Sequence, residues 1–295
     1  MMYSTAGAFR MALEQRLQAV AKEKQIPLVR LRKLVVFDRL MARLLVVAPS
    51  RWILKGAVAL NYRTGVKFRT TRDLDIGRQD SEEAATEDFL AVQSLDLGDY
   101  FAFAIELSRE LNPNEEDAAV RYHVIAMIGG RPFDDVTVDV GFGDPINEDP
   151  DMLLGPDLLD FADILPSEVP VLPLEQHIAE KLHAYTRKCG EENQSSRVKD
   201  LIDIVMISSL FGFKSGCLRK ALSITFNMRA THELPVALPA PPALWDIPYR
   251  KMADEVGLDQ QIDDGYKQAR SFLNPILSGT VSDDAIWELS SRAWY

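Results

Sequence analysis

Six prolines crowd one stretch of this chain, at positions 145, 150, 156, 166, 170 and 173. Proline has no amide hydrogen and a fixed φ, so neither a helix interior nor a central strand accepts that density. The stretch therefore reads as a connector, and it separates two halves with different apolar spacing. Before it, helical and strand-like apolar spacings are mixed; after it apolar residues recur every three to four residues, as in helices. At 295 residues the chain is long enough for one large domain or two ordinary ones. The expected organisation is an N-terminal helical segment over 1–48 packed on the core, a sheet domain over 49–150, a connector over 151–173 and a helical domain over 174–295.

The N-terminal segment reads as two helices, 6–24 and 29–48, interrupted by Pro27; in the first, Phe9, Leu13, Leu17 and Val20 form one stripe. Trp52, Ile53 and Leu54 suggest a short strand, Lys55-Gly56 a turn, and 57–62 the start of a helix. Ser81 followed by two glutamates opens a helix over 82–93. Strands are expected at 73–77, 101–107, 120–128 and 135–142, which makes the first half an α/β or α+β sheet domain. Helices are expected at 174–188, 196–211, 215–229, 249–257, 259–273 and 282–292.

Within the second strand, "RTTRDLDIG" at 69–77 places Asp73 and Asp75 two apart. Strand side chains alternate, so Leu74 and Ile76 point into a core and the two aspartates share the opposite face. Two carboxylates about 4 Å apart repel by ~4 kcal/mol at an effective dielectric of about 20. A shared divalent cation relieves that repulsion, and hard oxygen donors suit magnesium. The same Asp-x-Asp spacing recurs at Asp149 and Asp151, in the proline-rich stretch, where it carries no meaning. In "VTVDV", Val136, Val138 and Val140 face the core, so Thr137 and Asp139 face the other way. If the two strands are neighbours, three carboxylates converge, as two-metal nucleotidyl transfer requires. The Lys55-Gly56 turn, opening a helix, lets backbone amides approach a phosphate.

In the helical half, His177, Lys181 and Ala184 share a face of "LEQHIAEKLHAYTRK", and Lys181 can offer its ammonium into a cleft. "SSRVKDLIDIV" supplies Arg197, Lys199, Asp200 and Asp203, with Lys199 and Asp203 spaced as an i,i+4 ion pair. Glu180 and His183 have the spacing of a di-iron bundle motif, but no second copy follows. No nucleophile elbow and no Walker loop occurs.

A formal net charge of −11 argues against a protein that coats nucleic acid non-specifically. It leaves room for a short basic strip, for which Arg63, Lys67, Arg69 and Arg72 stand just before the aspartate strand. The two cysteines, Cys189 and Cys217, lack metal-type spacing and read as reduced thiols. No apolar run reaches membrane-spanning length and no signal core opens the chain, so a cytoplasmic protein without a membrane partner is expected.

Taken in order, "LKGAVAL", "RTTRDLDIG", "VTVDVGFGD", "EQHIAEKLHAY" and "RVKDLIDI" resemble the AbiEii/AbiGii family of nucleotidyltransferase-like toxins, the MenT-like type IV toxin–antitoxin group. The two N-terminal helices and the late "PPALWDIPYRKMA" and "FLNPILSG" are also similar, so the resemblance spans nearly the whole chain. It implies an α+β fold: a DNA polymerase β-like nucleotidyltransferase mixed sheet with N-terminal helices and a helical C-terminal domain. It implies a toxin of a bacterial toxin–antitoxin or phage-defence system that moves NMP from an NTP to RNA, in some members the tRNA 3′ acceptor end, blocking translation. By motif, Asp73 and Asp75 become the metal pair for Mg2+ or Mn2+ and Asp139 the third carboxylate. Lys55, Gly56, Ala57, Lys181, Lys199 and Asp200 become the nucleotide-binding set, and Asp203 joins Lys181 among the catalytic residues. Ala57 departs from the glycine or serine usual there; its amide can still serve a phosphate. The implied partners are a cognate antitoxin, DNA-binding or kinase-like, and the acceptor end of tRNA. Where the antitoxin is kinase-like, Thr71 stands at the regulatory position. Two other readings remain: the same chemistry on a small molecule or protein, and a non-catalytic nucleotide- or RNA-binding module of the same fold.

Overall fold

A computed structural model of the chain describes residues 3–65, 69, 71–108, 119–143, 148–187 and 197–295. It divides into two compact units, one of residues 1–144 and 150–172, the other of 145–149 and 173–295.

The first unit opens with α1 (Ala6–Lys24) and α2 (Leu28–Val47). Thr5 caps α1, its Oγ1 accepting from the Ala8 amide at 3.2 Å, and Gln25 closes it in a left-handed turn. Then come β1 (Ile53–Leu54), α3 (Gly56–Thr64), β2 (Asp73–Arg78), α4 (Glu82–Ser94), β3 (Phe101–Ser108), β4 (Ala119–Ile128) and β5 (Arg131–Phe142). Ser81 caps α4 as expected, accepting from Ala84, and Glu82 and Glu83 lie in its first turn, where the helix dipole favours them.

The proline-rich stretch is not the bare connector expected. It contributes two strands, β6 (Asp151–Leu154) and β7 (Glu168–Val171), to the same sheet. The prolines mostly bracket these strands rather than interrupt them. Pro170, inside β7, is tolerated because β1 pairs with β7 at a single register position, Leu54 with Val171. The sheet order is β3-β4-β5-β2-β1-β7-β6, mixed, with β2–β5 and β1–β7 parallel and the other pairs antiparallel.

One sheet face is the core. Leu74, Ile76, Val136, Val138 and Val140 are at most 1% exposed and pack in one cluster with Phe9, Leu13 and Leu17 of α1, Leu34 and Phe37 of α2, and Phe89 of α4. Buried ion pairs fix the helices to the sheet. Arg43 of α2, fully buried, donates to Asp99 at 2.9 and 2.6 Å and to the Phe101 carbonyl at 2.7 Å. Arg78 at the end of β2 lies over the Trp52 ring at 4.2 Å and donates to Asp88 at 3.0 Å.

The second unit holds α5 (Leu174–Thr186), α6 (Val198–Leu210), α7 (Ser215–Arg229), α8 (Asp246–Val256) and α9 (Ile262–Leu277). Helix α6 is its centre, with Leu201, Ile202, Ile204 and Ile207 fully buried. The helix expected over 282–292 does not form. A hairpin, β8 (Trp287–Glu288) with β9 (Ala293–Trp294), takes its place. It is held by aromatic burial that a helix could not arrange: Trp287 donates to the Ser208 carbonyl at 2.7 Å, and both Trp287 and Trp294 pack on Phe272. Among the described residues, no helix is long and apolar enough to cross a membrane.

Candidate active site

The site grows from the non-core face of the sheet. Leu74 and Ile76 are buried and Asp73 and Asp75 are half-exposed, as period two requires. The neighbouring strand is β5, running parallel, and the register pairs Asp73 with Thr137 and Asp75 with Asp139. Paired residues share a face, so the three expected carboxylates come together on one patch.

On the other side of β2, the Lys55 amide donates to the Asp75 carbonyl at 2.9 Å. The chain then turns from β1 into α3 at Gly56, with φ at +60°. A Cβ at Gly56 would overlap the Asp75 carboxylate, so only glycine lets the start of α3 lie against that side chain. Amides in the first helical turn lack intrahelical acceptors and favour anions. Ala57, 1% exposed, follows at once. Lys55 is itself 9% exposed. Its stem passes close over Gly77, where an added Cβ would stand 3.0 Å from Lys55 Cδ. Gly77 has the same parity as Asp73 and Asp75, so Lys55 runs along the carboxylate face.

Besides the three aspartates and Lys55, this face carries a charged group that the sequence reading did not single out. Arg121 of β4 is the register partner of Asp139. Its Nε donates to Oδ1 at 2.7 Å and its Nη2 to Oδ2 at 2.8 Å, a two-pronged ion pair.

Thr71 precedes β2 rather than lying on it. Its hydroxyl donates to the Asp73 carbonyl at 3.1 Å and accepts from the Asp73 amide at 3.3 Å, fixing the turn that leads into the strand. Of the basic strip, Arg72 is exposed and Arg69 half-exposed. Lys67 lies outside the described residues. Arg63 is not a surface contact: its side chain is 10% exposed and donates to Asp151 and to the Leu172 carbonyl at 3.0 Å. It ties α3 to β6 and β7, which also gives Asp151 a structural role.

In the helical unit, Lys181 of α5 reaches Asp200 at 3.2 Å and Asp203 at 2.9 Å on α6. Both aspartates are almost fully buried and Lys181 is 14% exposed. Asp203 is thus bonded across the helix pair by Lys181, in place of the expected i,i+4 pair with Lys199, which is half-exposed. Lys181 thus bridges two buried carboxylates, and Arg197 also approaches Asp200, at 3.8 Å. His183, the residue of the di-iron spacing, is buried, its Nε2 2.8 Å from the Thr231 hydroxyl.

The carboxylate patch has the donor chemistry for a divalent cation: hard oxygens, on adjacent strands, in register, beside a glycine cradle. Among the described residues no cluster of three or more such side chains is already drawn close enough to hold an ion; Asp139 is turned to Arg121.

A family model described as nucleotidyl transferase AbiEii toxin, type IV TA system, matches residues 39–280, and the chain belongs to that family of type IV toxin–antitoxin nucleotidyltransferases. Its fold is similar to that of MenT4, a nucleotidyltransferase toxin from Mycobacterium tuberculosis H37Rv, with TM-score 0.55 and 18% identity over 92% of this chain and 99% of that one. JHP933 from Helicobacter pylori aligns more distantly, with TM-score 0.36 and 14% identity over 81% of this chain and 96% of its own. Comparison with curated protein sequences finds no significant match.

Proposed function

We propose that this toxin transfers a nucleoside monophosphate from an NTP to the 3′ acceptor end of tRNA, in a divalent-metal-dependent reaction that blocks translation. The observation that carries the reading is the in-register pair Asp75–Asp139, flanked by Asp73 and by the Gly56 cradle. Asp73, Asp75 and Asp139 would hold Mg2+ or Mn2+, which when bound offsets phosphate charge and acidifies an attacking hydroxyl. Lys55 and the amides at Gly56 and Ala57 receive phosphate oxygens at the start of α3. The acceptor 3′-oxygen attacks the α-phosphorus, the bond to the β-phosphate oxygen breaks, and pyrophosphate leaves. Asp139 takes the hydroxyl proton on a carboxylate oxygen. Lys181 and Lys199, with Asp200 and Asp203 setting the position of Lys181, serve the triphosphate; the order of the family's motifs supports that assignment.

A narrow single-stranded end suits a chain of net charge −11, because it needs only a few cations such as Arg69 and Arg72. The type IV system supplies a cognate antitoxin. We assign it a kinase-like action on Thr71: a phosphate there adds nearly two negative charges two residues from Asp73 and opposes the incoming triphosphate.

The test is to incubate the protein with magnesium, each labelled NTP in turn and total tRNA, then with small hydroxylated acceptors, then alone. Label in tRNA supports the reading. Label confined to a small molecule or to protein moves the acceptor. Binding of NTP with no label anywhere makes the chain a non-catalytic module.

A further inference from the structure

The Arg121–Asp139 pair has no part in the scheme above, yet it occupies the third carboxylate. Both Asp139 oxygens accept from the guanidinium, at 2.7 and 2.8 Å. Any cation ligated by Asp139 must draw on the same oxygens. The pair is not locked in by burial, since Arg121 is 45% and Asp139 23% exposed, so a cation arriving from solvent can compete for the carboxylate.

Position says where Arg121 goes when it opens. Across the sheet the order is β4, β5, β2, β1, so that Arg121, Asp139, Asp75 and the start of α3 follow one another. Phosphates held at Gly56 lie on the α3 side. An in-line displacement brings the attacking oxygen to the α-phosphorus from the side opposite the leaving pyrophosphate. The acceptor strand therefore arrives over β5 and β4, where Arg121 stands. A guanidinium fork fits a phosphate as it fits a carboxylate.

We infer that Arg121 is a two-position counter-ion: it pairs with Asp139 until a divalent cation takes that carboxylate, and then binds a backbone phosphate of the acceptor RNA. The inference rests on the carboxylate-site reading given above.

The experiment uses the full chain and three variants, Arg121→Gln, Arg121→Lys and Asp75→Ala. Mn2+ alone is titrated without NTP, with free Mn2+ read by electron paramagnetic resonance. Arg121→Gln is expected to bind Mn2+ several-fold more tightly than wild type. In transfer assays the same variant should raise the KM for tRNA while leaving kcat nearly unchanged. The dependence of log KM on log salt should become shallower by ~0.7, the value for one lost single-strand phosphate contact. Arg121→Lys, which keeps charge but not the fork, should fall between, and it carries the test if Arg121→Gln does not fold. Unchanged or weaker Mn2+ binding by both arginine variants, or an unchanged KM for tRNA, would overturn the inference while Asp75→Ala still loses Mn2+. Wild type and Asp75→Ala binding Mn2+ equally would overturn the metal-site reading, and the role of Arg121 with it.

Discussion

Gly56→Ala puts two costs on one atom, and the structure separates them. The first is backbone strain: Gly56 has φ +60°, a left-handed conformation that costs an alanine ~1–2 kcal/mol. For a chain of this size that corresponds to a melting temperature lower by ~2–8 °C. The second is displacement: the new methyl would overlap the Asp75 carboxylate, which must retreat by roughly 1.5 Å to reach van der Waals distance. A misplacement of that size at a reacting centre costs ~10²-fold in rate. Gly65 supplies the control. It also has a positive φ, +63°, at the other end of α3, but a Cβ there meets nothing within 4 Å. Gly65→Ala should therefore show the strain-related loss of melting temperature, no larger than that of Gly56→Ala, while keeping nearly full activity. The assays are thermal melting and nucleotide transfer on both variants. Equal activity in the two would refute the argument that Gly56 exists to admit Asp75.

Three further outcomes are expected. Lys181→Ala leaves Asp200 and Asp203 buried without their shared ammonium, which costs ~3 kcal/mol or more; melting should fall by ~6–12 °C, and Asp200→Asn with Asp203→Asn in the same chain should restore much of it. Thr71→Glu should abolish transfer with little change in melting, whereas Thr71→Ala should remain active; an active Thr71→Glu protein would remove the case for regulation there. Burial, and secondarily the Arg187 cation, hold the His232 imidazole below its ordinary 6.5. The unfolded chain then binds more protons than the folded one just below that pH, so stability is complete above 6.5 and declines as pH falls toward the lowered value. His232→Gln should flatten that slope in urea titrations between pH 5 and 7, roughly the range where histidine changes charge.

The carboxylate face was legible in the sequence because period two is a strict rule: once Leu74 and Ile76 belong to the core, Asp73 and Asp75 cannot. The same holds for Val136, Val138 and Val140 against Asp139. Arg121 was not legible, for a reason that lies in one residue. The tight turn at Gly129-Gly130 pairs Ile128 with Arg131 and Met127 with Pro132. A bulge then shifts the register by one, pairing Ala126 with Asp134 and Arg121 with Asp139. Continued without the bulge, the hairpin would set Arg121 against Val138. The signal for that extra residue is indirect: Pro132 stands at the break, and only the shifted register lets Tyr122 and Val138 share the core face.

Strands β6 and β7 were hidden by proline, which excludes long strands but permits four-residue strands with little pairing on one side. The C-terminal hairpin was hidden because its stability comes from Phe272 and the Ser208 carbonyl, far away in sequence. Arg63 illustrates the converse. Its place beside other cations suggested a surface strip, but its side chain is committed to Asp151 and the Leu172 carbonyl.

The central claim is that β2 carries two aspartates for a ligand and not for the fold. It is tested most directly by measuring nucleotide transfer and melting temperature together for Asp73→Ala and Asp75→Ala. Both side chains sit on the half-exposed face, away from the core cluster, so neither is needed to fill the core. Each variant is expected to lose transfer altogether while melting close to the wild-type temperature. A variant that melts well below wild type and still transfers nucleotide would contradict the account.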